Sequence, residues 1–193
     1  MSVLAAYLAP HRRLVGAWLL DAQRVDRAVY DAVTHTSTPT LDRGMSELTQ
    51  AADYSRLWLG CAAVLAVTRG AKGRRAAVTG LASIGVASAV ANLVAKPLGR
   101  RRRPDTINVP DARRAPMPAS RSFPSGHAAS AFAFATGVGS VLPRDAIPIR
   151  VLATVVAYSR VHTGVHYPGD ALAGAFLGTT LAQIAAGVVG RAS

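Results

Sequence analysis

The chain has 193 residues, which suits one domain rather than several. Half of the residues are apolar, yet the formal net charge is +12, a pairing at odds with an ordinary soluble globule. A single cysteine, Cys61, excludes an intramolecular disulfide framework.

In chain order, the first fifty residues differ from the rest. Leu14–Leu20 is apolar but short. Beyond it Leu20, Val25 and Val29 alternate at helical spacing with Asp21, Arg24, Asp26, Arg27 and Asp31. This pattern predicts an amphipathic helix, either in the lipid headgroup region or simply solvated. Thr38-Pro39 ends it, and a second helix is expected from Thr40 or Leu41. Apolar helices follow at about 54–69, 76–95, 127–142, 147–163 and 169–190. Ala76–Ala95 and Ala171–Gly190 carry no charge over 20 residues each. Each is long enough to cross a hydrocarbon core of roughly 30 Å. Arg150 can snorkel to a surface, whereas Arg160 is costly in lipid and is expected to face a polar cavity. Gly174 and Gly178 form a small-xxx-small pair suited to close helix packing. The predicted fold is all-α, an integral membrane helix bundle of about five transmembrane helices plus N-terminal amphipathic helices. It is read as one membrane domain over 1–193, with an amphipathic segment at 1–53, a transmembrane catalytic core at 54–190 and an active-site loop at 96–127. The competing reading is an alanine-rich soluble helical core.

The 96–127 loop concentrates charge. Lys96, Arg100 to Arg103, Arg113, Arg114 and Arg121 stand against Asp105 and Asp111, for a net +6, half that of the chain. Six prolines, at 97, 104, 110, 116, 118 and 124, argue for an extended and partly rigid segment. Site residues at both of its ends predict a lid over the site. The arginine run also fits nucleic-acid binding, but Phe123 is the loop's only aromatic residue available for stacking on bases. Attraction to anionic lipid is preferred, with Arg100, Arg101 and Arg102 as surface charge.

Three blocks carry the chemistry: Lys96…Arg103-Pro104, Pro124-Ser125-Gly126-His127 and Ser159-Arg160…His166…Asp170. Arg103 and Arg160 offer planar, bidentate donors for phosphate oxygens, and Lys96 adds a point charge. Ser125-Gly126 opens an apolar run, so helix N-terminal amides can face an oxyanion. His166 and Asp170 form a nucleophile–orienter pair, since a carboxylate on one ring nitrogen leaves the other lone pair free. His127 is the candidate general acid. The helices place Lys96 and the starts of the 127–142 and 169–190 helices on one membrane face, together with the end of 147–163.

These three blocks resemble the type 2 phosphatidic acid phosphatase family, whose site is shared with vanadium haloperoxidases. The motifs span 96–170, and with the flanking apolar helices the resemblance covers roughly 54–190. It implies that His166 becomes a phosphohistidine, that His127 protonates the leaving group and that Asp170 positions His166. It further implies that Lys96, Arg103, Ser125, Gly126 and Arg160 hold the phosphate and that no metal or other cofactor is needed. The expected activity is hydrolysis of a phosphomonoester or diphosphate on a membrane lipid. Candidates are a polyprenyl phosphate, diphosphate or sugar phosphate linked to cell-wall precursors, phosphatidic acid, and phosphatidylglycerol phosphate. A vanadate-dependent haloperoxidase and a non-catalytic lipid-binding or transport protein are the alternatives.

The expected partners are the bilayer and its lipid substrate, without nucleic acid; a homo-oligomer stays open. The expected location is the inner (plasma) membrane, multi-pass. Orientation follows Lys and Arg. Arg69, Lys72, Arg74, Arg75, Arg144, Arg150 and Arg191 lie on the far face. Arg43, Arg56, Arg100, Arg101, Arg102, Arg113, Arg114 and Arg121 lie on the active-site face, joined by Arg12, Arg13, Arg24 and Arg27 when the N-terminal segment is included. The larger set favours an active site on the cytoplasmic face. His11, His35 and His162 lie outside the motifs and are read as solvated or structural.

Overall fold

The structure, a computed structural model, describes residues 3–107 and 109–192, with side chains described for 14–107 and 109–187. Among the described residues the regular structure is entirely helical. The helices are α1 (Val3–His35), α2 (Pro39–Ala51), α3 (Arg56–Thr68), α4 (Gly70–Val90), α5 (Lys96–Leu98), α6 (Gly126–Gly139), α7 (Ala146–His162) and α8 (Pro168–Ala192). A π turn over Ala91–Ala95 joins α4 to α5.

Helix α6 is the axis of the bundle and packs against α4, α7 and α8. Its Ala128, Ala129, Ala131, Ala133, Phe134, Ala135 and Val138 are all fully buried. The main apolar core joins Phe134 to Trp58 of α3, their ring centroids 5.5 Å apart, and to Ile84, Ile149 and Val156. Small residues allow the close approach. A Cβ at Gly174 would collide with the Ser125 carbonyl oxygen, and one at Gly178 would collide with that of Ala129. The Gly174–Gly178 pair is therefore the seam between α8 and α6, and backbone-to-backbone contact there holds the first turn of α6 against the first turns of α8.

The five apolar helices expected from the sequence correspond to α3, α4, α6, α7 and α8. Their number as membrane spans does not carry over as simply. Gly70–Leu98, at 29 residues, is long and apolar enough to cross a membrane. Helices α3, α6 and α7 have 13, 14 and 17 residues. At a rise of about 1.5 Å per residue they extend roughly 20–26 Å, short of a full hydrocarbon core.

Helix α1 is longer than its apolar pattern suggested and exposes Leu14, Val15, Trp18, Leu19 and Leu20. The break at Thr38-Pro39 falls as expected, with Pro39 opening α2. His11, Arg12, Arg13 and Arg191 lie outside the residues whose side chains are described. The α1–α2 turn is clamped to the long loop by Arg113, which is completely buried. Its guanidinium donates to Asp42 at 2.9 Å, to the carbonyl oxygens of Val33 and Thr36 at 3.0 and 2.8 Å, and to the Thr38 hydroxyl at 2.9 Å. Asp42 also holds Nε2 of His162 at 3.0 Å. Burial alone would push the Asp42 carboxyl up, but the hydrogen bonds from Thr38, His162 and Arg113 outweigh it and hold it below the usual carboxylate range. His162 is thus structural, while the exposed His35 is tied through Nδ1 to the Asp31 carbonyl.

Candidate active site

The π turn ends at Lys96, the first residue of the first motif. Such a turn inserts one residue into the helical register and so re-aims the side chains beyond it. Lys96 donates to Asn92 Oδ1 at 2.8 Å and to the Ser120 hydroxyl at 3.3 Å. Gly126 lies alongside, since a Cβ added there would stand 3.7 Å from the Lys96 ammonium. A cavity of about 220 Å³ opens here, with Asn92, Lys96, Gly126 and His127 on its wall.

The turn between α7 and α8 presents His166, which is 2 % exposed. The amides of Val165 and His166 both donate to the Arg160 carbonyl at 3.1 Å, which fastens the turn to the end of α7. His166 Nδ1 lies 3.5 Å from Asp170 Oδ2. That same oxygen accepts from the Tyr167 amide at 3.0 Å and, at very short range, from the Ser122 hydroxyl. On the other side of the ring, Arg103 Nη1 lies 3.1 Å from Nε2. A guanidinium can only donate, so Nε2 is the acceptor and Nδ1 carries the ring proton toward Asp170. Burial pushes the His166 pKa down to about 4, helped by Arg103 and Arg160 and opposed by the Asp170 carboxylate. The ring is therefore neutral near pH 7, with its Nε2 lone pair under a cation.

Arg103 also donates to Ser120 O at 2.8 Å and to Val165 O at 2.9 Å. Arg160 is 2 % exposed; Nη1 reaches the Thr49 hydroxyl, while Nε has no partner among the described residues. A buried, unspent donor of this kind calls for an acceptor. Ser125 is buried and caps α6, its hydroxyl accepting from Ala128 N at 3.4 Å. Its own amide donates to the Asp170 carbonyl at 2.9 Å, so that amide is already engaged and ties the second motif to the third.

His127 Nε2 meets Asp53 Oδ1 at 2.8 Å. A carboxylate only accepts, so Nε2 of His127 holds a proton. Asp53 is placed there by an unusual backbone, because Tyr54 and Ser55 both adopt left-handed φ values of 52° and 61°. Two consecutive non-glycine residues in that region store strain of the kind found at working sites. Asp53 escaped the sequence reading, although it is the one acidic residue between Glu47 and Asp105.

The structure thus brings Arg103, His166, Asp170 and the Ser125 backbone into one contact network, sets Lys96 beside Gly126 and His127, and buries Arg160 at the end of α7. It corrects the reading of Arg101 as surface charge. Arg101 bonds Asp170 Oδ1 at 3.1 Å and Asp26 Oδ2 at 2.5 Å, and its guanidinium lies 4.0 Å from the Tyr167 ring centroid. The loop folds back so that Ser122 N donates to Arg101 O at 3.2 Å, which turns Arg101 inward along with Arg103. Arg100 stays exposed. Ser122, with its hydroxyl on Asp170, was likewise missed; nothing distinguished it from the loop's other serines. Among the described residues no group of three or more His, Cys, Asp or Glu is arranged to hold a metal ion.

Residues 76–192 match the family model described as the PAP2 superfamily. The chain belongs to that superfamily. It is 38% identical over 139 residues to the decaprenylphosphoryl-5-phosphoribose phosphatase of Mycobacterium tuberculosis, covering 69% of this chain and 72% of that one. Its fold matches a transmembrane PAP2-type phosphatidylglycerolphosphate phosphatase from Bacillus subtilis with a TM-score of 0.67 at 26% identity, over 90% of this chain and 88% of that one. It also matches Aquifex aeolicus LpxE in fold, with a TM-score of 0.63 at 24% identity, over 81% of this chain and 92% of that one. This PAP2 protein is accordingly a membrane enzyme, a phosphatase acting on lipid.

Proposed function

We propose that this PAP2 phosphatase works through a phosphohistidine on His166. The reading rests on the buried, neutral imidazole whose Nε2 lone pair faces the Arg103 guanidinium while Nδ1–H faces Asp170. In the first step Nε2 attacks phosphorus, the N–P bond forms and the P–O bond to the lipid breaks. His127, in its doubly protonated form, delivers the Nε2 proton to the departing oxygen and is left neutral, with Asp53 as the acceptor that holds the ring in place until then. Arg103 moves from Nε2 to the phosphoryl oxygens. Lys96, the unspent Nε of Arg160 and the free amides at the start of α6 share that charge. In the second step water attacks phosphorus, His127 takes the water's proton, and the N–P bond breaks to return neutral His166 and phosphate. Three permanent cations at the phosphate supply the electrostatic role that a metal ion fills in other phosphatases.

The substrate favoured is a polyprenyl-linked sugar phosphate, by similarity to the mycobacterial decaprenylphosphoryl-5-phosphoribose phosphatase. The phosphate would enter the cationic pocket while the tail stays in lipid. A panel of purified lipids tests this. The account expects the highest kcat/KM on the polyprenyl-linked sugar phosphate, above phosphatidic acid, phosphatidylglycerol phosphate and polyprenyl diphosphate. Turnover confined to a glycerolipid would overturn the substrate assignment while leaving the chemistry standing. The location we propose is the inner membrane with the site on its cytoplasmic face, from the distribution of Lys and Arg.

A further inference from the structure

Residues of helix α1 lie outside the part of the chain that matches the family model, which begins at residue 76. Yet one turn of α1 touches both ends of the His166 turn. Asp26 Oδ1 accepts from the Gly169 amide at 2.7 Å, while Oδ2 holds the Arg101 guanidinium. Gly169 is the residue that permits this approach, since a Cβ there would stand 3.1 Å from Oδ2. Four residues on, the Tyr30 hydroxyl lies 3.1 Å from the Asp105 carbonyl oxygen and 3.3 Å from that of Gly164. Its ring packs on Tyr167, with centroids 5.2 Å apart, and the Arg101 guanidinium lies over the Tyr167 ring as well. Residues 164, 167 and 169, which surround His166 in sequence, are therefore all held by Asp26 and Tyr30 directly or through Arg101. Elsewhere on α1, Arg24 pairs locally with Asp21.

We propose that Asp26 and Arg101 are positioning residues for His166, and that α1 is a working part of the active site rather than an appendage on the membrane surface. The proposal rests on His166 being the nucleophile. Arg101 stands between two carboxylates, Asp26 with a side chain 11% exposed and Asp170 with one fully buried. Because Asp26 takes one side of the guanidinium, only Oδ1 of Asp170 is engaged by it. Oδ2 stays with Ser122, the Tyr167 amide and the His166 ring. Without Asp26, the guanidinium is free to close on both oxygens of Asp170, as a bidentate pair prefers. Oδ2 then leaves Nδ1, and Nε2 loses its line to phosphorus. Displacements of about 1 Å at a reacting group cost on the order of 100-fold in rate.

The test is steady-state kinetics on the full-length protein in detergent micelles, with melting temperature measured alongside. For Asp26→Asn the expected result is a 10- to 100-fold loss in kcat with KM within about twofold and an unchanged melting temperature. Asp26→Glu should restore most of the kcat. In Arg101→Gln the Asp26→Asn change should cost less than threefold more, because both act through one contact. Asp21→Asn, on the same helix but away from the turn, should behave as wild type. The proposal is overturned if Asp26→Asn keeps kcat within twofold while His166→Ala is inactive. It is equally overturned if kcat and melting temperature fall together and Asp26→Glu rescues neither. Full activity in His166→Ala would instead overturn the reading of the site itself, and this inference with it.

Discussion

Two histidines with the same intrinsic chemistry meet opposite partners at Nε2. Arg103 on His166 forces that nitrogen to accept, and Asp53 on His127 forces it to donate. On the proposed mechanism, the ring that attacks and the ring that protonates are distinguished by a cation and an anion. His166 can be followed directly by NMR of labelled protein. Its pKa should lie near 4, below the usual 6.5, because burial dominates and Arg103 adds to it. Arg103→Gln removes a cation that disfavours the imidazolium, so the titration should move up in pH; a downward move would contradict the assignment. Asp53→Asn should lower kcat about tenfold or more with little change in KM, since general acid work is worth on the order of 10²–10⁴-fold and orientation is a part of it. The residues the proposed mechanism relies on, Lys96, Arg103, His127, Arg160, His166 and Asp170, stand out in the sequence because their spacing is itself a signal. Asp53, Arg101 and Ser122 do not. Their roles come from contacts across 69 positions, as in Arg101 to Asp170, or 74, as in Asp53 to His127, and no local pattern records such a distance.

At the scale of elements, the site depends on helix ends brought to the same place with little tolerance. The α6–α8 seam sets the second motif against the third, through Gly174, Gly178 and the bond from Ser125 N to Asp170 O. Gly178→Val should be more damaging than its distance from the chemistry suggests. Its side chain would collide with the Ala129 carbonyl, and overpacking of this kind costs typically about 1–3 kcal/mol. Reduced melting temperature together with loss of activity is the expected outcome; wild-type values for both would mean that α8 does not pack there in the membrane. The helices were legible from uncharged runs and from breakers such as Pro39 and Pro168. Their lengths were less so, because apolar residues continue past the last helical turn into the loops, as Val141 and Leu142 do after α6.

For the whole molecule, α4, α6, α7 and α8 alternate in direction, which brings the end of α4, the start of α6, the end of α7 and the start of α8 to one end of the bundle. The 96–127 loop then folds inward, with Arg101 and Arg113 bound to Asp26 and Asp42 of the N-terminal helices. A loop that closes on α1 and α2 makes those helices share the site's side of the membrane. A cysteine placed at Ala115, in a variant lacking Cys61, reads that side. The expected result is protection from an impermeant maleimide in intact spheroplasts and labelling after lysis. Labelling in intact spheroplasts would reverse the proposed orientation. The central claim concerns His166, and trapping the intermediate tests it most directly. Enzyme quenched during turnover of ³²P-labelled lipid phosphate in EDTA should carry an alkali-stable, acid-labile phosphoryl group that maps to His166 and is absent in His166→Ala. A phosphoenzyme that persists in His166→Ala, or turnover by that variant near the wild-type rate, would contradict the account.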